Sequence, residues 1–312
     1  MIYNGIIRVL LYLLFIFLIG CNSENKASWE KIPVDGITNY TINSVDFLDE
    51  ENGLVIANLR GSSKIYQTKN GGMSWHQTFE VDQGLHDVKF VNSTKVVAVG
   101  NEDVWVSPDA GKSWDSVNIS ISDPLIAVVF NNNRAGFAVG MNGVIFKSTD
   151  GGETWEKQES GSSSFLRDVD LINDTIAYAV GFGGTILKTD NGGESWKTLQ
   201  SSHDGNLSAV GFLDTETGFA VGQNGTILQT NDGGTTWNKR ETGIDSGLLG
   251  IDLYEDSGII TGFGGTIISS EDAGKSWEIA SRGEFPHLYD AFMMNGDTIF
   301  LVGDEGTILK KI

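Results

Sequence analysis

Six tryptophans recur along the chain at a nearly constant interval. Trp75, Trp114, Trp155, Trp196, Trp237 and Trp277 are separated by 39, 41, 41, 41 and 40 residues. Six glycines, Gly100, Gly140, Gly181, Gly222, Gly262 and Gly303, keep the same beat, at 40, 41, 41, 40 and 41 residues. Two independent markers with a period of about 40–45 residues and strand-like content between them point to a β-propeller blade, one supersecondary unit that is stable only when stacked on its neighbours.

The third unit shows how a blade is written. Residues 124–132 (PLIAVVFNN) and 134–142 (RAGFAVGMN) form two apolar runs, residues 143–150 (GVIFKSTD) a third, and residues 154–160 (TWEKQES) a short polar fourth. Turn residues separate them, so each unit reads as a four-stranded antiparallel meander. Asn142-Gly143 and Asn224-Gly225 join second to third strands, and Asn-Gly is the preferred type I′ pair because both positions need positive φ. A lone four-stranded sheet cannot bury two apolar faces, whereas radial stacking covers both and leaves only short edges. The 40 glycines and 4 prolines of the chain fit many tight turns between strands.

Six units are complete. A seventh begins at residues 287–296 (HLYDAFMMNG) and stops at Ile312 after three strands. Residues 28–34 (SWEKIPV) stand alone before the first unit, and Ser28-Trp29 matches the Ser/Thr-Trp that opens each fourth strand. An open third strand would expose an edge and invite association. The expected fold is therefore all-β: a monomeric seven-bladed propeller over residues 29–312, its last blade closed by the N-terminal strand.

Residues 1–20 carry one charge, Arg8, followed by an apolar run from Val9 to Ile19. The run is short for a membrane span and has the length of a signal-peptide core. It ends Leu18-Ile19-Gly20-Cys21, which resembles the lipobox of bacterial lipoproteins. That resemblance implies cleavage before Cys21, lipidation of its thiol and a tether over residues 21–28. Several acyl chains give stable anchoring where one is marginal. Asn22 in place of an aspartate leans toward the outer membrane, so the expected location is the cell envelope, with membrane contact through the lipid alone. Cys21 is the only cysteine, so the chain holds no internal disulfide.

Between third and fourth strands lies a recurring turn, S/T-x-D/N-x-G-x-S/T-W. It carries Asp109, Asp150, Asp232 and Asp272 in four units and Asn70 and Asn191 in two others. The carboxylate or amide can cap backbone N–H groups, the glycine tolerates positive φ, and the tryptophan covers the turn. Burial of about 150–250 Å² per ring at roughly 25 cal/mol/Å² sets an upper bound of about 4–6 kcal/mol each. Asparagine can stand in because capping needs an acceptor oxygen rather than a charge. The turn resembles the Asp-box, or bacterial neuraminidase repeat. With the VGxxGTILxTxDGGxSW pattern and the seven-fold count, residues 28–312 resemble the photosystem II stability/assembly factor family of propellers. The resemblance implies a non-catalytic protein that binds a protein partner. The family's photosynthetic members use an arginine-rich surface patch, whereas Arg60, Arg134, Arg167, Arg240 and Arg282 are spread here over different units.

Other chemistry is weighed against that reading. Sialidases also carry such turns, with an arginine triad and an early Arg-Ile-Pro; the corresponding stretch here is Lys31-Ile32-Pro33. Ordinary glycosidases need only two carboxylates, which 41 acidic residues leave open, so a glycan-active or carbohydrate-binding propeller is the alternative. Gly111-Lys112-Ser113 and Gly274-Lys275-Ser276 lack the upstream glycine of a phosphate loop. The four histidines show no metal spacing. No cofactor or metal is expected, and a net charge of −20 disfavours nucleic acid. One constellation stands out on the innermost strands. Asp46, Asp170 and Asp252 follow the apolar residue at the strand centre, while Asp87, Asp168 and Asp290 precede it, and Arg167 adjoins Asp168. These residues are expected at a channel mouth that holds a cation or a basic side chain; capping of strand ends or exposure to solvent is the other reading.

Overall fold

The computed structural model describes residues 28–119, 122–131 and 134–312. It forms seven four-stranded antiparallel sheets arranged as a closed ring. Blade 1 comprises Thr41–Phe47, Asn52–Leu59, Ser62–Lys69 and His76–Val81. Blades 2 to 6 repeat this order, with innermost strands Leu85–Phe90, Leu125–Phe130, Leu166–Leu171, Leu207–Phe212 and Leu248–Tyr254. Blade 7 holds Leu288–Met293, Ile299–Gly303 and Thr307–Lys311, and its fourth strand is Trp29–Lys31 from the other end of the chain. Trp29 lies opposite Lys311 and Lys31 opposite Leu309. The closing strand is shorter than the 28–34 segment read from sequence: beyond Lys31 one more bond, Ile32 N–H to the Ile308 carbonyl, completes the ladder before Pro33 interrupts it.

Seven apolar layers fill the gaps between neighbouring blades. Blades 7 and 1, for example, bury Val45, Phe47 and Val55 against Phe300, Val302 and Ile308. The second strands are buried along all or most of their length, as Val96–Gly100 and Ile299–Gly303 show, because both of their faces meet another sheet.

The periodic glycine has a steric cause. Gly140 and its counterparts end the second strand where the backbone crosses the start of the innermost strand. A Cβ there would run into a carbonyl oxygen, that of Pro124 at Gly140, Phe165 at Gly181 and His287 at Gly303. The Asn-Gly pairs form the expected turn. Asn142 and Gly143 both adopt positive φ, 54° and 72°, and the Val144 N–H bonds to the Met141 carbonyl.

Two faces follow from this winding. The first-to-second and third-to-fourth strand turns share one face, as the Gly71 N–H to Glu51 carbonyl and Ala110 N–H to Thr94 carbonyl bonds show. The second-to-third strand turns and the links between blades share the opposite face.

Candidate functional site

The recurring turns close as small hydrogen-bonded cages. In blade 2 the Ser107 hydroxyl donates to Asp109 Oδ1 and accepts the Gly111 N–H. Asp109 Oδ1 also accepts the Lys112 and Ser113 N–H groups, and its Oδ2 accepts the Ser113 hydroxyl at 2.8 Å. Asp150, Asp232 and Asp272 repeat the pattern. Asn70 and Asn191 keep the acceptor oxygen, while their Nδ2 donates to the Ser74 and Ser195 hydroxyls, which reverse from donor to acceptor. Hydrogen bonds to the ionised form hold Asp109, Asp232 and Asp272 below the usual carboxylate range, Asp272 at about 2. The tryptophans lie over phenylalanines, edge-on for Trp75 on Phe47, Trp155 on Phe130, Trp196 on Phe137, Trp237 on Phe212 and Trp277 on Phe219, and tilted for Trp114 on Phe79. These turns are built to hold the blades.

The central channel is different in kind. It encloses a cavity of about 520 Å³ lined by the innermost strands, including all six aspartates singled out from sequence. The structure assigns these carboxylates a role invisible in any single unit: each accepts a backbone N–H from the next blade. Asp87 Oδ2 takes the Val128 N–H, Asp168 Oδ2 that of Val210, and Asp290 Oδ2 that of Val45. One alternation further along, Asp46 takes the Phe90 N–H, Asp170 that of Phe212, and Asp252 that of Met293. Blades 4 and 5 are thus joined twice. The joints between blades 3 and 4 and between 5 and 6 carry Ala127 and Val129, and Ala209 and Gly211, at the equivalent positions.

A basic side chain does stand among these acids, and it comes from the chain itself. Lys89 Nζ lies 3.9 Å from Asp46 and 3.8 Å from Asp87. Burial drives Asp46, Asp168, Asp170, Asp252 and Asp290 upward against their backbone hydrogen bonds. Asp168 rises to about 8, Asp46 and Asp252 to about 7, and Asp170 and Asp290 to about 6.

Toward the face opposite the capped turns the channel is lined by a ring of which the sequence reading singled out only Arg167. Every innermost strand has a β-bulge after its first buried residue, between Ile42 and Ser44, Leu85 and Asp87, and so on to Leu288 and Asp290. A bulge inserts one residue and re-aims its side chain. The seven inserted residues, Asn43, His86, Ile126, Arg167, Ser208, Leu249 and Tyr289, are all half-buried and line the cavity. A readable signal was present: the buried pairs Leu85/Val88, Leu166/Val169 and Leu207/Val210 are three apart, which strict strand alternation forbids.

Most of these rim groups with a polar tip are engaged. His86 bonds Asn101 at 2.8 Å, Tyr289 bonds Asp304, and Asn43 donates to the Leu85 and His86 carbonyls. Burial and Asp304 raise Tyr289 to about 12. Arg167 lies over the Phe165 ring at 5.5 Å and has no carboxylate within 4 Å among the described residues. Phe165 in turn meets Phe182, whose ring is 42% exposed, and Phe263, 43% exposed, leans on His287. Of the remaining arginines, Arg60 and Arg134 sit in turns on opposite faces, and Arg240 and Arg282 near the outer edge, so no arginine cluster forms among the described residues. Cys21 lies outside the described residues, as do the expected leader and most of the tether.

Fold and site together define a seven-bladed, blade-repeat propeller whose blades are tied across a central channel by carboxylates and whose bulge residues line one end of that channel. A family model described as Photosynthesis system II assembly factor YCF48 matches residues 80–147, 107–205 and 195–281, well over half of the chain. The protein belongs to that family. The photosystem II stability/assembly factor HCF136, chloroplastic, of Guillardia theta is 29% identical over 128 residues, 37% of this chain and 32% of that protein, so the match spans about a third of the curated relative's length. Two solved structures share the fold. YCF48 bound to D1 peptide superposes with a TM-score of 0.75 at 19% identity, over 92% of this chain and 97% of that one. YCF48 from Cyanidioschyzon merolae gives 0.74 at 20%, over 91% and 98%.

Proposed function

We propose that this chain is a non-catalytic, lipid-anchored propeller that binds a protein partner at the cell envelope through the channel mouth opposite the capped turns. The observation that carries this reading is the mouth itself. Seven bulge residues open it, Phe182 and Phe263 stand exposed beside it, and Arg167 offers a guanidinium with no carboxylate of its own. Membership of an assembly-factor family supports a partner that is a protein, and the solved relative carrying a D1 peptide shows that this fold can hold one. Anchoring through Cys21 rests on the leader and lipobox pattern in the sequence, and the same pattern favours the outer membrane. The reading treats the protein as a monomer without cofactor.

The test is site-specific crosslinking in cells. A photoreactive residue at Phe182 should give a discrete protein adduct that Arg167→Ala weakens, whereas one at Glu194, in a capped turn, should not. Equal adducts from both faces would refute the assignment of the mouth.

One observation favours the glycan-active alternative: carboxylates with raised proton affinity in a cavity are what a glycosidase acid requires. Against it, all six spend an oxygen on a neighbouring blade. Hydrolysis of chromogenic glycosides by the wild-type protein, abolished by Asp168→Asn with the fold intact, would establish the alternative.

A further inference from the structure

The route by which the chain enters the propeller sets which face an anchored molecule holds nearest the membrane. Trp29–Lys31 is the outermost strand of blade 7 and runs antiparallel to Thr307–Lys311. Ser28 pairs with Ile312, its carbonyl accepting the Ile312 N–H at 3.0 Å and its hydroxyl donating to the Ile312 carbonyl at 3.3 Å. In every blade the third strand ends at the capped-turn face, so Ser28 lies there too. Two lysines confirm the place: Lys310 Nζ bonds the Gly71 carbonyl in the capped turn of blade 1, and Lys311 Nζ bonds the Gly296 carbonyl in the first turn of blade 7.

Only seven peptide steps separate Cys21 from Ser28. Fully extended they reach about 25 Å. The blades are about 20 Å tall, from strands of roughly six residues at about 3.3 Å each. Only a tether drawn nearly straight along the outer edge of a blade could bring the other face to the bilayer; a relaxed chain of that length spans about 15 Å, so the capped-turn face is the one it holds nearest.

The surface around the exit point differs from the rest of that face. The most exposed large apolar side chains of the described residues are Met73, at 73%, and Ile312, at 69%. Met73 occupies the turn position that holds Lys112, Glu153, Glu194, Thr235 or Lys275 elsewhere. The turn beside it carries the neutral Asn70 where four others carry aspartate. Lys69, Lys310 and Lys311 stand in this sector against Asp49, Glu50, Glu51 and Asp297, whereas blades 4 and 5, across the ring, set Asp174, Asp190, Glu194, Asp214, Glu216 and Asp232 against Lys188 and Lys197 on the same face. A sector with exposed apolar side chains and little net charge can approach lipid headgroups more closely than the more acidic far side.

We infer that the junction of blades 7 and 1 on the capped-turn face, centred on Met73, is the membrane contact, and that the channel mouth faces away from the bilayer. This rests on the lipid-anchor reading of Cys21. It also narrows the partner: a protein reaching Arg167, Phe182 and Phe263 must present a segment that stands clear of the membrane, such as a soluble domain or a projecting terminus, rather than a membrane-embedded surface.

The test uses the acylated full-length protein, extracted from its host in mild detergent and reconstituted into vesicles of phosphatidylethanolamine and phosphatidylglycerol. Cys21 is consumed by the lipid, so Met73→Cys and Phe263→Cys each provide a single labelling site for a fluorophore. With spin-labelled lipid as quencher, the label at position 73 should be quenched roughly threefold or more over that at 263, given faces about 20 Å apart. Lengthening the tether with Gly-Ser repeats after Ser23 should erase most of the difference while the protein still floats with the vesicles. Equal or reversed quenching in a protein that floats overturns the orientation alone. A protein that fails to float overturns the anchor and, with it, this inference.

Discussion

The carboxylates of the capped turns and those of the channel stand at the outer and inner parts of the ring of blades, and their surroundings push them in opposite directions. At the turns, Asp109, Asp232 and Asp272 face water and accept hydrogen bonds from hydroxyl and backbone donors within five residues, which favours the ionised form. In the channel, Asp46, Asp168 and Asp252 also accept backbone N–H groups, but from a strand 41 to 44 residues away, and burial in the channel wall outweighs those bonds. The first set is local and holds a turn. The second is nonlocal and holds the ring. The two sets teach that the same side chain serves as a charged cap or as a near-neutral staple according to how much water reaches it.

The comparison breaks most sharply at the tryptophans. If the outer turns draw their stability from apolar burial, Trp237→Ala should cost about 3–5 kcal/mol, since Trp237 is buried against Phe212 and Tyr178 lies in the same layer. Equilibrium unfolding in urea measures it. A loss under about 1 kcal/mol would mean the capped turn supports itself without its ring.

The staples come next. Asp168→Ala with Asp170→Ala leaves the Val210 and Phe212 N–H groups without acceptors at the joint of blades 4 and 5. Each buried orphan costs about 1–3 kcal/mol, and removal of two buried carboxylates offsets part of it where they would be ionised. The double variant should therefore lose about 2–4 kcal/mol at pH 5 and less at pH 8. A larger loss at pH 8 would show that the carboxylates stabilise the ring as anions.

The pH dependence sharpens this further. A channel carboxylate with a folded pKa of about 8, against 3.8 unfolded, binds its proton more tightly in the native state. Stability from this source is complete below about pH 4 and is lost as pH rises toward 8. The turn carboxylates act the other way: their contribution is present above about pH 4 and is lost as pH falls toward 2. Wild-type protein should accordingly be most heat-resistant between these limbs. Asp168→Asn, which keeps an acceptor for Val210, should flatten the alkaline limb between pH 5 and 8 and leave the acid limb alone. Scanning calorimetry across that range decides it.

What could be read in the sequence divides along the same line. The blade count, the shared last blade and the capped turns were legible because their signals are local: a tryptophan, a glycine and a cap at fixed offsets, with Ser28-Trp29 left over at one end and three strands at the other. The channel aspartates were legible as residues lining a channel, but not as staples. Asp87 meets Val128 only after two sheets have packed, and nothing near either residue records the meeting. The bulge ring was hidden for another reason. A single inserted residue leaves the 41-residue period intact, and only the spacing of three between buried positions such as Leu207 and Val210 betrays it. Alternation assumed across that point assigns the side chains beyond it to the wrong face.

The two joints without staples allow the finest tests. Ala209 lines the cavity at the position that Asp87, Asp168 and Asp290 occupy in other blades. Ala209→Asp should reach the Ile251 N–H of blade 6 and add up to about 1 kcal/mol at pH 5, with the gain gone by pH 8 as the new carboxylate is forced to ionise. A gain that persists at pH 8 would mean that water reaches this joint more freely than the others. Smallest of all should be Asp232→Asn. Asn70 and Asn191 already fill that position in two blades, where a serine hydroxyl simply turns round to accept. Thr236 can turn in the same way, so the melting temperature at pH 7 should not move, while the variant should hold up better than wild type once pH falls below the usual carboxylate range, where Asp232 would take up a proton and give up its cap. A substantial loss at pH 7 would place the strength of the cap in its charge, and the contrast between the outer and inner aspartates would then rest on electrostatics at both ends of the blade.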